Sequence, residues 1–490
     1  MTRDPPATLA ETHSAVLVLM GDRAYKVKKP VDLGFLDFST RQLREEACHR
    51  EVRLNRRMAG DVYLGVADVR GPDGELCDHL VVMRRLPGEE RMSTLVTSGH
   101  DLRPALWSVA HQLAALHAAS PAAGRFADVA RVATVRRHWR ENLAVLADRV
   151  LALRPEHRPD HIEDLVERYL RGRDALFEER IAIGCVVDGH GDLRAEDVFV
   201  TPDGPRVLDC LDFSDELRWG DRLLDAAFLA MDLDDLGRPD LAGAFLAWQR
   251  ELSGDTWPES LAHHYIAYRA SVRAKVAAIK AAQREDPAAG EVERYCELTV
   301  RHLEAGRVGL ILIGGLPGTG KTSLARGIGE RSGAVVLSSD EVRRELGEPV
   351  TGSPPGVDEG RYAPAARLAV YDEMLARAGA LLRRGERVVL DASWADGPVR
   401  RRARDLAEAT SSDLYELCCT VPPAVAEARI AARRADNTTA SEATVDVARS
   451  MAARFDAWPE AHLVDTDAPL SAVIHSASKH LGPGPFLVPR

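Results

Sequence analysis

The run Gly315-Leu316-Pro317-Gly318-Thr319-Gly320-Lys321-Thr322 places glycines ahead of a lysine and a hydroxyl side chain. It fits G-x-x-x-x-G-K-[ST], and each fixed position has a chemical reason. Glycines let backbone N–H groups converge on phosphate oxygens, and a helix starting behind them turns its positive end to the same point. In that geometry Lys321 reaches the β- and γ-phosphates of a nucleoside triphosphate, and the Thr322 hydroxyl ligates Mg²⁺. A second set of residues lies earlier in the chain. His190-Gly191-Asp192-Leu193 stands between apolar segments, Asp197 follows five positions after Asp192, and Asp209 comes 17 after it. In a kinase loop the first Asp accepts the proton of the attacking hydroxyl. A polar residue five positions on holds Mg²⁺, and an Asp after the next hairpin holds the metal against the phosphates. The bland reading is a loop with surface aspartates.

These groups need elements to hold them. Residues 310–314 are apolar and β-branched and read as a buried strand, and 323–326 opens a helix, so the glycine loop has the strand and helix it requires. Residues 334–337 predict a second strand. Ser338-Ser339-Asp340-Glu341 has capping-box spacing, which puts Asp340 at a helix N-terminus near the strand ends with Arg343 three residues on. There Asp340 is a candidate base for an acceptor hydroxyl and Arg343 a substrate contact, or Asp340 is only a cap. The strand 387–391 ends in Asp391, a candidate metal ligand beside the loop. A strand at 414–421 leads to a helix carrying Arg429, Arg433 and Arg434, which reads either as a lid closing on phosphates or as a solvated face. The Gly/Pro-rich segment 351–358 and the tip 437–441 read as mobile loops.

In the first half, 15–20 and 24–29 predict a hairpin with Lys26 and Lys28 on one face. A charged helix follows at 41–58, then strands at 64–69 and 80–86. Leu106, Val109, Leu113 and Leu116 mark one buried helical face, with His117 behind it as a structural histidine. Val198-Phe199-Val200 and Arg206-Val207-Leu208-Asp209 read as strands, the latter ending in its carboxylate. Arg269, Arg273 and Lys280 fall on one stripe of a helix at 263–283, a solvated face or an anion site. The pattern breaks at 286–290, and a last helix runs to about 302.

The chain has 490 residues, too many for one ordinary core; the length alone predicts roughly three domains. Its net charge is −11, which disfavours a broad nucleic-acid surface. Seven scattered cysteines without C-x-x-C read as reduced thiols. No apolar run is long enough for a membrane span, and the first residues show no leader pattern, so the expectation is cytoplasmic.

His190-Gly191-Asp192-Leu193 with Val207-Leu208-Asp209-Cys210-Leu211-Asp212-Phe213 resembles the aminoglycoside phosphotransferase family, whose fold is that of the protein kinases. The likeness covers roughly 10–300 and includes the lysine strand at 24–29, Glu51 in its helix, the helix before His117, and Asp225. It implies that Asp192 is the catalytic base, Asp209 and Asp197 metal ligands, and Lys26 the phosphate lysine paired with Glu51, with Lys28 as the rival. Three features depart from the family pattern. Asp197 stands where asparagine is usual, no G-x-G-x-x-G loop precedes Lys26, and the segment after Leu193 is Arg194-Ala195-Glu196-Asp197. The strand, glycine loop, 338–346 and 388–394 resemble P-loop kinases of the polynucleotide-kinase, zeta-toxin and gluconate-kinase type over about 308–466. That likeness implies Asp340 as base, Arg343 as substrate contact, Asp391 as Walker B acid, and Arg429 or Arg433 as lid arginine. The domain order resembles bacterial proteins that fuse the two.

The expectation is therefore a kinase-like bilobal domain at 1–305 followed by a P-loop α/β parallel-sheet domain at 306–490, using ATP and Mg²⁺. The leading function is transfer of a γ-phosphoryl group to a hydroxyl of a small polar molecule, with a sugar as one candidate. In the alternatives only the P-loop half is active, on a small molecule or a polynucleotide 5′-hydroxyl, or the chain is an ATP-gated switch without an acceptor.

Overall fold

The computed structural model describes residues 8–11, 14–32, 34, 36–149, 153–284, 289–347, 363–436 and 444–481. The loops expected at 351–358 and 437–441 and most of the break at 286–290 lie outside them. The chain divides into two compact units, 1–150 with 178–257 and 265–298, and 151–177 with 258–264 and 299–490. Residues 151–177 and 258–264 precede the boundary expected near 306 and group with the second unit.

In the first unit, β1 (Thr8–Glu11), β2 (Ala15–Met20), β3 (Arg23–Lys28), β4 (Tyr63–Arg70) and β5 (Leu76–Arg84) form an antiparallel sheet in the order β1-β2-β3-β5-β4. Leu17 lies opposite Lys26 and Ala15 opposite Lys28, so the two lysines share a face, as period-2 alternation requires. The helix Arg41–Ala59 is capped by the Thr40 side chain, which accepts from the Leu43 N–H. It packs Cys48, Val52 and Ala59 against Tyr63, Val81 and Met83, and this packing sets where Glu51 points. Short antiparallel pairs follow: β6 (Val186–Asp188), β7 (Val198–Thr201), β8 (Gly204–Val207) and β9 (Trp219–Asp221), with β6 on β9 and β7 on β8. The strand expected to end in Asp209 ends at Val207 instead. Asp209 has φ +63, a left-handed conformation that cannot continue a strand.

In the second unit, β10 (Gly309–Gly314), β11 (Val335–Ser338), β12 (Val388–Asp391), β13 (Asp413–Thr420) and β14 (His462–Asp465) are all parallel, in the order β11-β12-β10-β13-β14. Every residue of the central β10 is buried, which explains its unbroken apolar run. Each such Leu or Ile contributes about 1.5–3 kcal/mol. Register decides the site, because Ile313 lies opposite Asp391 and Ser338 opposite the same residue. The glycine loop leaving β10 and the carboxylate ending β12 therefore emerge side by side. The strands β1 and β14 are not predicted by the sequence. Each has four residues and little burial, too short for periodicity to register.

Candidate functional site

In the first unit, β3 and the helix Arg41–Ala59 assemble an ion-pair chain. Lys26 Nζ lies 2.9 Å from Glu51 Oε1 and 2.9 Å from Asp209 Oδ1. Lys28 Nζ lies 2.6 Å from Glu51 Oε2 and 2.9 Å from Asp212 Oδ2. Glu51 thus bridges both rival lysines, and each of them also reaches one of the two aspartates after β8. The Lys26 ammonium holds the Asp209 carboxyl down at about 2. A carboxyl depressed below its usual 3.8 contributes stability above that value and loses it as pH falls toward 2. Half exposure of the side chain screens the effect, so its size is small. Asp209 titration followed by NMR is expected near pH 2 in the native chain and nearer 3.8 in Lys26→Met; no difference between the two would disprove the pairing.

The loop carrying Asp192 is fixed from below. Asp225 is buried and accepts the backbone N–H of His190 and of Gly191, each at 2.8 Å, and the ring N–H of His117 at 2.9 Å. Burial pushes its carboxyl up, but the bond from His117 and the attraction of His117 and His190 outweigh that and hold it well below the usual range. A Cβ on Gly189 would stand 2.4 Å from Asp225 Oδ2, so only glycine lets the chain pass so close. Asp192 itself faces a cation. Arg194 Nε lies 3.5 Å from Asp192 Oδ1, Arg194 Nη2 lies 3.0 Å from Asp197 Oδ2, and Nη1 pairs with Glu196. Burial, with Asp209 and Asp192 nearby, raises the Asp197 carboxyl well above its usual value although Arg194 opposes this.

In the second unit the helix Lys321–Ser332 starts directly behind the glycine loop. Gly315 N–H donates to the Ser393 carbonyl at 3.1 Å, tying the loop to the segment after β12. Gly318 has φ +87, and a Cβ there would meet the Ala426 carbonyl oxygen at 2.6 Å. Gly318→Ala is expected to cost about 1–3 kcal/mol and to weaken nucleotide binding, read by thermal melting with and without ATP. An unchanged melt and affinity would show that this backbone is not constrained. Asp391 is buried beneath the loop, with the Thr322 and Ser338 hydroxyls beside its carboxylate. Burial raises its carboxyl, while Lys321 and Thr322 pull it back. Its Oδ1 is buried without a hydrogen-bond partner. An orphaned carboxylate oxygen beside a threonine hydroxyl and a lysine fits a hard divalent cation such as Mg²⁺. Asp340 lies in the first turn of the helix Ser339–Leu346 and pairs with Arg343. Ser338 is the N-cap but makes no side-chain capping bond, so the capping-box expectation fails. Arg429 Nη2 donates to the Thr466 carbonyl at 3.0 Å, and the Thr466 hydroxyl donates to the Thr319 carbonyl at 2.6 Å. This chain links the candidate lid arginine to the phosphate loop.

The phosphotransferase enzyme family matches residues 19–263, half of the chain. The chain belongs to that family. An AAA domain matches residues 310–458 of the same phosphotransferase chain. Proteins of Mycobacterium tuberculosis and Mycobacterium bovis, both described as uncharacterized, are each 44% identical over 474 residues, covering 96% of this chain and 94% of theirs. Two solved structures are similar to parts of this chain. A choline/ethanolamine kinase family protein from Mesorhizobium loti is 16% identical, covering 62% of this chain and 92% of its own, with a TM-score of 0.39. A gluconokinase from Sinorhizobium meliloti is 18% identical, covering 35% of this chain and 91% of its own, with a TM-score of 0.26. By the two family models and the observed sheet, the phosphotransferase has a protein-kinase-like first domain and a parallel-sheet P-loop second domain. Both domain families are kinase-type and imply ATP use. No helix among the described residues is long and apolar enough to cross a membrane.

The phosphotransferase's structure brings Lys26, Glu51 and Asp209 together, places Asp192 and Asp197 around Arg194, and sets Lys321, Thr322 and Asp391 at one point. Among the described residues, no group of three or more His, Cys, Asp or Glu side chains is arranged to hold a metal. The side chain of Arg433 lies outside the described residues. Sequence reasoning did not find Thr466, Asp212 or the pairing of Arg194. The signal for Arg194 was present, as a cation inside a run of acids. Arg269, expected on a solvated or anion-binding stripe, is buried with its guanidinium 4.7 Å over the Phe228 ring.

Proposed function

We propose that this chain is an ATP-dependent kinase whose P-loop half moves the γ-phosphoryl group to a hydroxyl of a small polar molecule. The buried, unpartnered Asp391 Oδ1 beneath the glycine loop carries this reading. Mg·ATP, when bound, supplies the transferable group and a divalent charge against its oxygens. Backbone amides of 315–322 and the Lys321 ammonium hold the β- and γ-phosphates, and Thr322 with Asp391 holds the cation. Asp340 accepts the acceptor's proton, Arg343 orients it, and Arg429 closes on the phosphates, with Arg433 as the alternative. The domains would run 1–305 and 306–490 in a cytoplasmic chain, and the −11 net charge favours a small acceptor over a polynucleotide.

In the first half, Asp192 as base with Lys26 on phosphate and Asp197 and Asp209 on metal would make the enzyme bifunctional. The contact of Arg194 with Asp192 favours a second reading, in which this half binds substrate or regulates. Phosphorylation of a metabolite library by wild type, Lys321→Ala, Asp340→Asn and Asp192→Asn, read by mass spectrometry, tests both. Products lost in Lys321→Ala and Asp340→Asn but kept in Asp192→Asn place transfer in the P-loop half alone. Products that survive Lys321→Ala but not Asp192→Asn overturn that assignment.

A further inference from the structure

The metal position implied for the first half does not match the residues around it. A kinase loop holds its ions between the polar residue five positions after the base and the Asp after the hairpin. Here the first is Asp197 and the second Asp209. Lys26 on Asp209 is no obstacle, because a flexible ammonium moves readily to a phosphate. Arg194 is different. Its side chain is only 13% exposed, and its guanidinium reaches Asp192, Glu196 and Asp197 from one position. The backbone around it is pinned, because the Ala195 N–H donates to Asp232 Oδ2 at 2.8 Å. Displacing Arg194 would draw a mostly covered cation away from its carboxylates, which is unfavourable.

We propose that Arg194 is a built-in counter-cation that takes the place of a metal ion at Asp197, so the first half holds no divalent ion there. The guanidinium is planar and singly charged and remains protonated at all working pH values. It sets a permanent positive charge 3.0 Å from Asp197 and 3.5 Å from Asp192, so this side of the site depends on a fixed side chain and not on the supply of Mg²⁺. Any anionic group entering the first half then meets Lys26 and Arg194 as its cations. The assignment is independent of the reading of the P-loop half.

The test is uptake of Mn²⁺, followed by loss of the free-ion electron paramagnetic resonance signal, in the full chain carrying Lys321→Ala and Asp391→Asn to disable the second site. The background chain is expected to take up no Mn²⁺ that depends on Asp197. Arg194→Ala and Arg194→Gln in this background are expected to bind at least about tenfold more tightly, and adding Asp197→Asn should abolish the gain. Arg194→Lys, which keeps the charge, should stay close to the background. A background chain that already binds Mn²⁺ and loses it with Asp197→Asn overturns the proposal whatever the Arg194 variants do. So do Arg194→Ala and Arg194→Gln chains that melt like the background yet gain no Mn²⁺.

Discussion

Lys321→Ala is expected to lower kcat/KM for phosphoryl transfer by about 10²–10³-fold, the usual loss when one preorganised cation or donor is removed from a developing charge. The loss should fall mainly on kcat. The backbone amides of the glycine loop still offer their N–H groups to phosphate, whereas the ammonium matters most when charge builds between the β- and γ-phosphates. Lys321 is partly exposed at the start of its helix and is not part of the apolar core, so folding should be preserved. Thermal melting of the apo variant checks that. Lys321→Arg keeps the charge but not the compact head, and should recover only part of the rate. Full turnover in Lys321→Ala would sink the proposed role of the loop, unless the surviving activity disappears on adding Asp192→Asn. That second outcome would move transfer to the first half.

Asp225→Ala should destabilise the first unit strongly, by about 3–5 kcal/mol. The carboxylate is buried and accepts the His190 and Gly191 N–H groups together with the His117 ring. Truncation leaves buried donors without a partner, each at about 1–3 kcal/mol. Asp225→Asn should cost less, since its amide oxygen can still accept from one N–H. The measurement is the urea midpoint of each variant at constant slope. The sign of the pH dependence follows from the depressed carboxyl. Its contribution is complete above the ordinary carboxylate range and is lost as pH falls below it, so the gap between wild type and Asp225→Ala should narrow in acid. A gap that widened in acid, or an Asp225→Ala midpoint equal to wild type, would contradict the anchoring role.

Much of this is legible in the residue pattern alone. The glycine loop declared itself because its chemistry needs fixed residue types at fixed spacing, and the flanking strand and helix are strongly patterned. Asp391 was visible as the carboxylate ending an apolar strand, and its parallel register with β10 supplied the rest. Other features depend on which side chain reaches which partner, and spacing does not encode that. The family likeness puts Lys26 first on Glu51 with Lys28 as its rival, and the structure shows both on Glu51. The strand expected to carry Asp209 stops at Val207, because a left-handed residue is invisible to a hydrophobicity pattern. Thr466 comes to the phosphate loop from 147 residues away, and a lone threonine after a short strand carries no signal. Arg269 looked like a surface charge because an amphipathic long side chain obeys helical spacing whether its head is wet or lies over a ring.

The double grip on Glu51 has a consequence for how the first unit meets an anion. With a single lysine, a ligand that drew the ammonium away would leave Glu51 as a lone negative charge in an apolar setting, and the helix Arg41–Ala59 would have reason to swing outward. With Lys28 still at 2.6 Å, Lys26 can change allegiance while the acid stays compensated. The lobe can therefore engage and release an anionic visitor with its frame at rest.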